Sequence, residues 1–142
     1  MKERLLVSAC LLGENCKYSG GTNYSAAVAA LAERFELIPV CPEQLGGLPT
    51  PRTPSERVGD RVRATDGTDV TEAFRLGAEK ALETALSQGE KRAVLQARSP
   101  SCGCGTIYDG TFTGQTRDGM GVLAYLLMKC GIQVLEPDDL RL

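Results

Sequence analysis

The chain contains no histidine and no tryptophan. Without imidazole there is no Ser–His or Cys–His nucleophilic pair, and no zinc site that needs a histidine ligand. Proton transfer is left to carboxylates, hydroxyls, lysine and tyrosine. Metal or redox chemistry falls to six cysteines: Cys10, Cys16, Cys41, Cys102, Cys104 and Cys130. Long apolar runs are also missing, since none approaches the ~18 residues that span a bilayer, and no membrane partner is expected. Nor is there a basic excess. Sixteen Lys and Arg stand against eighteen Asp and Glu, a net charge of -2. A chain without a basic stripe lacks the footprint by which a nucleic-acid polymer is held.

What remains is an ordinary globular composition of 142 residues, 42% hydrophobic and 24% charged, which predicts a single domain over 1–142. The amino terminus bears on the state of the thiols. Val7-Ser8-Ala9-Cys10 resembles a lipoprotein cleavage box preceded by Lys2 and Arg4. Only Leu5, Leu6 and Val7 lie between, whereas a secretory apolar region needs ~7–15 residues. The expectation is therefore a cytoplasmic protein with reduced thiols, in which clustered cysteines point to metal or catalysis rather than to a disulfide framework.

Apolar runs at residues 5–9 and 35–40 each stop at a cysteine, Cys10 and Cys41. An Ala-rich segment at 23–34 lies between them, with Asn23 or Ser25 as its cap. Strand, helix, strand at this spacing predicts a βαβ unit. The Gly/Pro-rich segment 42–54 reads as a long ordered loop, because Pro removes a donor and fixes φ. Residues 61–65 read as a short strand. Asp69 is placed to cap the next helix with Glu72 as its capping-box partner; Phe74, Ala78, Ala81, Leu82 and Ala85 form its apolar stripe, and Gly89 ends it. A third core strand at 92–97 runs into Arg98-Ser99-Pro100-Ser101-Cys102-Gly103-Cys104-Gly105. A turn or hairpin around Asp109-Gly110, a helix over 119–129 and a strand at 132–135 complete the chain. The pattern predicts an α/β fold, a single-domain Rossmann-like sandwich with a mostly parallel central sheet.

Cys10, Cys41 and Cys102 each fall at or just past the carboxyl end of a predicted strand, and in an open parallel sheet those ends share the edge where ligands bind. Three convergent thiolates suit a soft metal, and an iron–sulfur cluster accepts them readily. Other pairings stay open. Cys102 and Cys104 form a C-x-C that could chelate metal, as in a structural zinc- or metal-binding domain, or serve a thiol–disulfide redox protein as its couple. Cys16 is a fourth-ligand candidate or a bystander, and Cys130 reads as a small buried hydrophobe. Glu43, two residues past Cys41, is placed to be a general acid or base, or a solvated loop carboxylate. Ser101 offers a hydroxyl to a substrate or caps its own turn. The successive amides of residues 101–105 suggest a concavity for an anion or for cluster sulfides.

Three segments carry a family resemblance: Ser8-Ala9-Cys10-Leu11-Leu12-Gly13; Val40-Cys41-Pro42-Glu43-Gln44 with Gly46-Gly47-Leu48-Pro49-Thr50-Pro51-Arg52; and Arg98-Ser99-Pro100-Ser101-Cys102-Gly103. In this order and at these intervals the chain resembles the thiouracil desulfurase family, and the likeness continues through Ile107-Tyr108-Asp109-Gly110-Thr111-Phe112 and the last helix. The resemblance implies a [4Fe-4S] cluster held by Cys10, Cys41 and Cys102, whose fourth iron takes the sulfur of a small thiolated nucleobase, 4-thiouracil or 2-thiouracil. It implies uracil and sulfide as products with no electron transfer. It further implies Glu43 as the proton carrier that activates water and Ser101 as a partner in positioning or deprotonating the substrate. Arg52 is a substrate-binding candidate, with a structural salt bridge as its alternative. Two departures stand out. Lys17-Tyr18-Ser19-Gly20 replaces the Arg-Tyr-Asp/Asn-Gly stretch common in the family, and Cys16 and Cys104 fall outside its ligand set.

Overall fold

The computed structural model describes residues 2–140. In chain order its elements are β1 (Glu3–Ser8), α1 (Ala26–Ala29), β2 (Phe35–Val40), α2 (Pro42–Leu45), β3 (Ser55–Val58), β4 (Arg61–Ala64), α3 (Thr71–Ser87), β5 (Arg92–Val94), β6 (Cys104–Tyr108), β7 (Thr116–Met120), α4 (Val122–Lys129) and β8 (Gln133–Leu135). Short 3-10 turns at Ala9–Leu12 and Ala30–Glu33 follow β1 and α1. The central sheet has the order β2-β1-β5-β8 with every pair parallel, and β3-β4 and β6-β7 are separate antiparallel hairpins. This is the α/β sandwich that the alternation of apolar runs and helices predicts.

The sheet is covered on both faces because its strands are apolar on both. Leu5 and Val7 pack towards α1 with Val28, Leu31 and Phe35, whereas Leu6 packs towards α3 and α4 with Ala78, Ala81, Leu123 and Leu127. Successive side chains of a strand point to opposite faces, so one strand serves both cores. Each fully buried Leu or Val among these contributes roughly 1.5–3 kcal/mol.

Several sequence expectations need correction. The segment 42–54 is not loop throughout, since α2 makes one turn with Pro42 in its first position, where a missing N–H breaks no bond. Strand β3 was not expected. Asp69 precedes the cap of α3, where its carboxylate accepts from Thr71 N at 2.9 Å; Glu72 pairs with Arg75 rather than closing a capping box. Residues 116–120 are strand, so the last helix begins only at Val122. Cys130, expected in the core, is exposed just past the end of α4. Of the two cap candidates for the first helix, Ser25 takes the role, accepting from Val28 N at 3.2 Å, which leaves Asn23 for other work.

Two close approaches set the position of the site. Gly46 and Gly77 let α2 sit against α3: a Cβ on Gly77 would run into the Pro42 carbonyl, and one on Gly46 into that of Ala73. At α4, the amides of Val122 and Leu123 donate to the carbonyls of Pro100 and Ser101 at 2.9 and 2.8 Å. The orphan donors of a helix start thus pin the loop that carries Cys102.

Candidate active site

The chain leaves β1 in one direction to form β2 and later returns on the other side of β1 to form β5. Such a reversal opens a crevice at the carboxyl ends of the strands. Cys10 lies in the 3-10 turn directly after β1, Cys41 caps α2 directly after β2, and Cys102 lies in the loop after β5. All three line one cavity of ≈ 520 Å³, as do Glu43 and Arg52. Residues far apart in sequence are brought together by topology alone.

Two of the three sulfurs accept hydrogen bonds, while Cys41 Sγ donates to the Cys16 carbonyl at 3.7 Å. Asn23 Nδ2 donates to Cys10 Sγ at 3.4 Å, and its backbone N–H donates to the Cys10 carbonyl at 3.0 Å. Ser8 Oγ donates to Cys102 Sγ at 3.5 Å while accepting from Gln96 N at 2.9 Å, which fixes the direction of its proton. Donors aimed at sulfur are arranged for thiolate.

Burial, however, raises the Cys10 thiol above its ordinary value against the Asn23 hydrogen bond, and the neighbouring Cys41 and Glu43 add to the rise. Burial likewise pushes Cys102 up to about 12, with Ser8 opposing. The guanidinium beside the cavity, Arg52, is already paired. Three cysteine sulfurs on one cavity, two of them buried with donors in place, fit an external soft cationic group, which deprotonates the sulfurs it binds. They fit a single ion poorly. A tetrahedral zinc draws its sulfurs to ~2.3 Å from one point, and among the described residues no three Cys, Asp or Glu side chains are grouped to hold one ion. Thiols spread around a cavity suit a group with several metal corners.

The family model for 2-thiouracil desulfurase matches residues 5–139. The chain belongs to the 2-thiouracil desulfurase family. Among solved structures, this desulfurase-family chain is similar to a [4Fe-4S]-dependent thiouracil desulfidase, TudS, with a TM-score of 0.92 and 46% identity, over 98% of this chain and 93% of that one. It is also 38% identical over 147 residues to the YbbK protein of Bacillus subtilis (strain 168), covering 96% and 97% of the two chains.

The other residues singled out in this desulfurase-family sequence fall into place unevenly. Glu43 stands on the first turn of α2 and is paired with Arg52, the two side chains being 17% and 7% exposed. Arg52 also donates to the Cys16 carbonyl at 2.9 Å, Thr50 Oγ1 at 3.0 Å and the Pro49 carbonyl at 3.2 Å. Ser101 does not line the cavity; its hydroxyl is fully buried and has no partner. The amides of residues 101–105 form no anion concavity. Ser99 Oγ takes those of Ser101 and Cys102, the Ser99 carbonyl takes that of Gly103, Met120 Sδ takes that of Gly105, and Cys104 belongs to β6.

Cys16 is buried on the cavity wall beside Cys41, and burial, then Cys41 and Cys10, raise its thiol. Cys104 lies away from the cavity, donating to the Val134 carbonyl at 3.6 Å, and both it and Cys102 are free thiols. Sequence reasoning missed Ser8 and Asn23 as sulfur donors. Neither contact is local, Ser8 reaching Cys102 across the sheet and Asn23 reaching Cys10 from 13 positions away, so the sequence carried no direct signal for them.

No helix among the described residues is long and apolar enough to cross a membrane.

Proposed function

We infer that this protein converts a thiouracil to uracil and sulfide, using a [4Fe-4S] cluster held by Cys10, Cys41 and Cys102. The observation that carries the reading is one cavity lined by three cysteines from three separate strand ends together with a carboxylate. The stated dependence of the similar TudS on a [4Fe-4S] cluster supports the cofactor. The overall change is hydrolysis: a C=S carbon gains the oxygen of water, sulfur leaves as hydrogen sulfide, and no electrons are exchanged.

When bound, the cluster supplies a Lewis acid for the thiocarbonyl sulfur. The chain supplies the rest. Cys10 and Cys102 hold it with their sulfurs steadied by Asn23 and Ser8. Glu43 accepts the proton of the water that attacks the carbon and returns it to the leaving sulfur. Arg52 acts through Glu43: the guanidinium is engaged by one carboxylate, two carbonyls and a hydroxyl, so it fixes the direction of the base. Ser101 keeps an unpartnered hydroxyl one residue from Cys102 but behind the cavity wall, so a role towards the substrate requires that hydroxyl to turn into the cavity.

The test is anaerobic reconstitution with iron and sulfide, followed by addition of 4-thiouracil or 2-thiouracil. The expected result is brown protein with about four irons per chain that releases uracil and sulfide in equal amounts. Colourless protein holding one zinc and releasing no sulfide would overturn the reading.

A further inference from the structure

The chain has only three Phe and four Tyr. Of these, Tyr18, Phe74, Tyr108 and Phe112 line the cavity. Phe74 belongs to α3 and is core, whereas Phe112 is half-buried in the loop 109–115 that joins β6 to β7. Its φ of +59° lies in the left-handed region, where Arg98 is the only other non-glycine among the described residues. An L-residue with a Cβ avoids that region, and strained conformations persist only where neighbours over-determine them.

Here the neighbours do. Glu56 Oε1, reaching from β3, accepts from both Gly110 N at 2.9 Å and Phe112 N at 3.2 Å. Gly110 sits so close to the Arg57 carbonyl that a Cβ would come within 2.6 Å of it. Asp109 Oδ1 accepts from Thr111 N at 2.9 Å and from Thr111 Oγ1 at 2.5 Å, and Asp109 N donates to the Gln115 carbonyl at 3.0 Å. The loop is tied before any ligand arrives. A ring that served only the core would be fully buried and would need no strained backbone to place it.

We propose that Phe112 is the stacking platform for the pyrimidine ring of the substrate, and that Glu56 is the positioning residue that holds it there. An aromatic face offers a flat, uncharged surface to a nucleobase. This assignment rests on the reading of the cavity as a thiouracil site, and adds which wall recognises the ring as distinct from the reacting C=S group.

The test uses cluster-loaded protein with 4-thiouracil as substrate and uracil as the non-reacting ligand. Phe112→Gly removes the ring and accepts a left-handed φ without strain, so the loop keeps its path. KM and the uracil inhibition constant should both rise about tenfold, with kcat and iron content unchanged. Phe112→Tyr should restore both constants. Glu56→Ala should shift them in the same direction, and Glu56→Gln, whose amide oxygen still accepts, should not. Unchanged KM and uracil constants in Phe112→Gly, or loss of iron along with binding, would overturn the platform. If wild-type protein turns over no thiouracil, the functional reading fails separately. Calorimetric uracil binding then decides the platform: binding lost in Phe112→Gly supports it, and absent or unchanged binding overturns it.

Discussion

At the carboxyl end of the central sheet the strands run into buried thiols and a half-buried carboxylate–guanidinium pair. At the amino end the same strands are flanked by ion pairs in water: Arg4 with Glu36 at 3.1 Å and Arg92 with Glu3 at 3.0 Å, while Lys2 Nζ donates to the Ala32 carbonyl at 2.7 Å. Exposed pairs of this kind are worth ~0.2–1 kcal/mol each, so the amino end is tolerant ground. The carboxyl end concentrates groups that are costly to bury, and that cost is where ligand chemistry enters. The difference teaches that a parallel sheet separates its two ends by task, one for a site and one for closing the fold.

The comparison breaks most visibly at sulfur. Replacing Cys10, Cys41 or Cys102 singly by Ala should abolish both iron retention and desulfurisation, measured as iron per chain and sulfide released. Cys130→Ala, at an exposed position outside the cavity, should leave both intact. A step down in size is Glu43→Gln. It should lower kcat by ~10²–10⁴-fold, the range for a lost acid–base group, with iron content kept; turnover near wild type would remove Glu43 from the reaction.

Much of this was legible in the residues. Strands β1 and β2 are apolar runs stopped by cysteines, and α3 shows an alanine stripe, so the shared edge of the parallel strands follows from order alone. What was hidden depended on neighbours that sequence does not name. Pro42 reads as a breaker, yet at the head of α2 it breaks nothing. The segment Ser55-Glu56-Arg57-Val58, which pairs only with β4, has no apolar alternation, and so the sequence pattern assigns it no element. Asn23 looks like a helix cap by type, but the chain path delivers its amide to Cys10 and leaves capping to Ser25. A salt bridge is one of the two readings of Arg52, but the sequence does not name its partner Glu43, because their meeting depends on how the intervening loop folds, with Gln44 Nε2 donating to Thr50 Oγ1 at 2.8 Å.

Asn23 sharpens the comparison at intermediate size. If its amide steadies a cluster ligand, Asn23→Ala should weaken metal retention by ~10–100-fold, the usual effect of removing a group that orients a ligand, read as the rate of iron loss to a chelator under anaerobic conditions. Arg4→Ala at the amino end of β1 should leave that rate unchanged.

The smallest effect tests the amino end itself, where one group does not fit the tolerant pattern. Glu90, two residues before β5, is 5% exposed, and neither carboxylate oxygen has a hydrogen-bond partner. Burial raises it to about 7 against the attraction of Arg4. Below the ordinary carboxylate value the group is neutral in folded and unfolded chains alike. As pH rises from there to about 7, the unfolded chain releases the proton while the folded chain keeps it, so stability falls across that window and levels off above it. Glu90→Gln imitates the protonated form at every pH. It should therefore be more stable than wild type by ~1–2 kcal/mol at pH 8, with the difference in urea midpoint closing as the pH is lowered to the carboxylate range. A constant difference at all pH values would mean that packing rather than ionisation separates the two proteins.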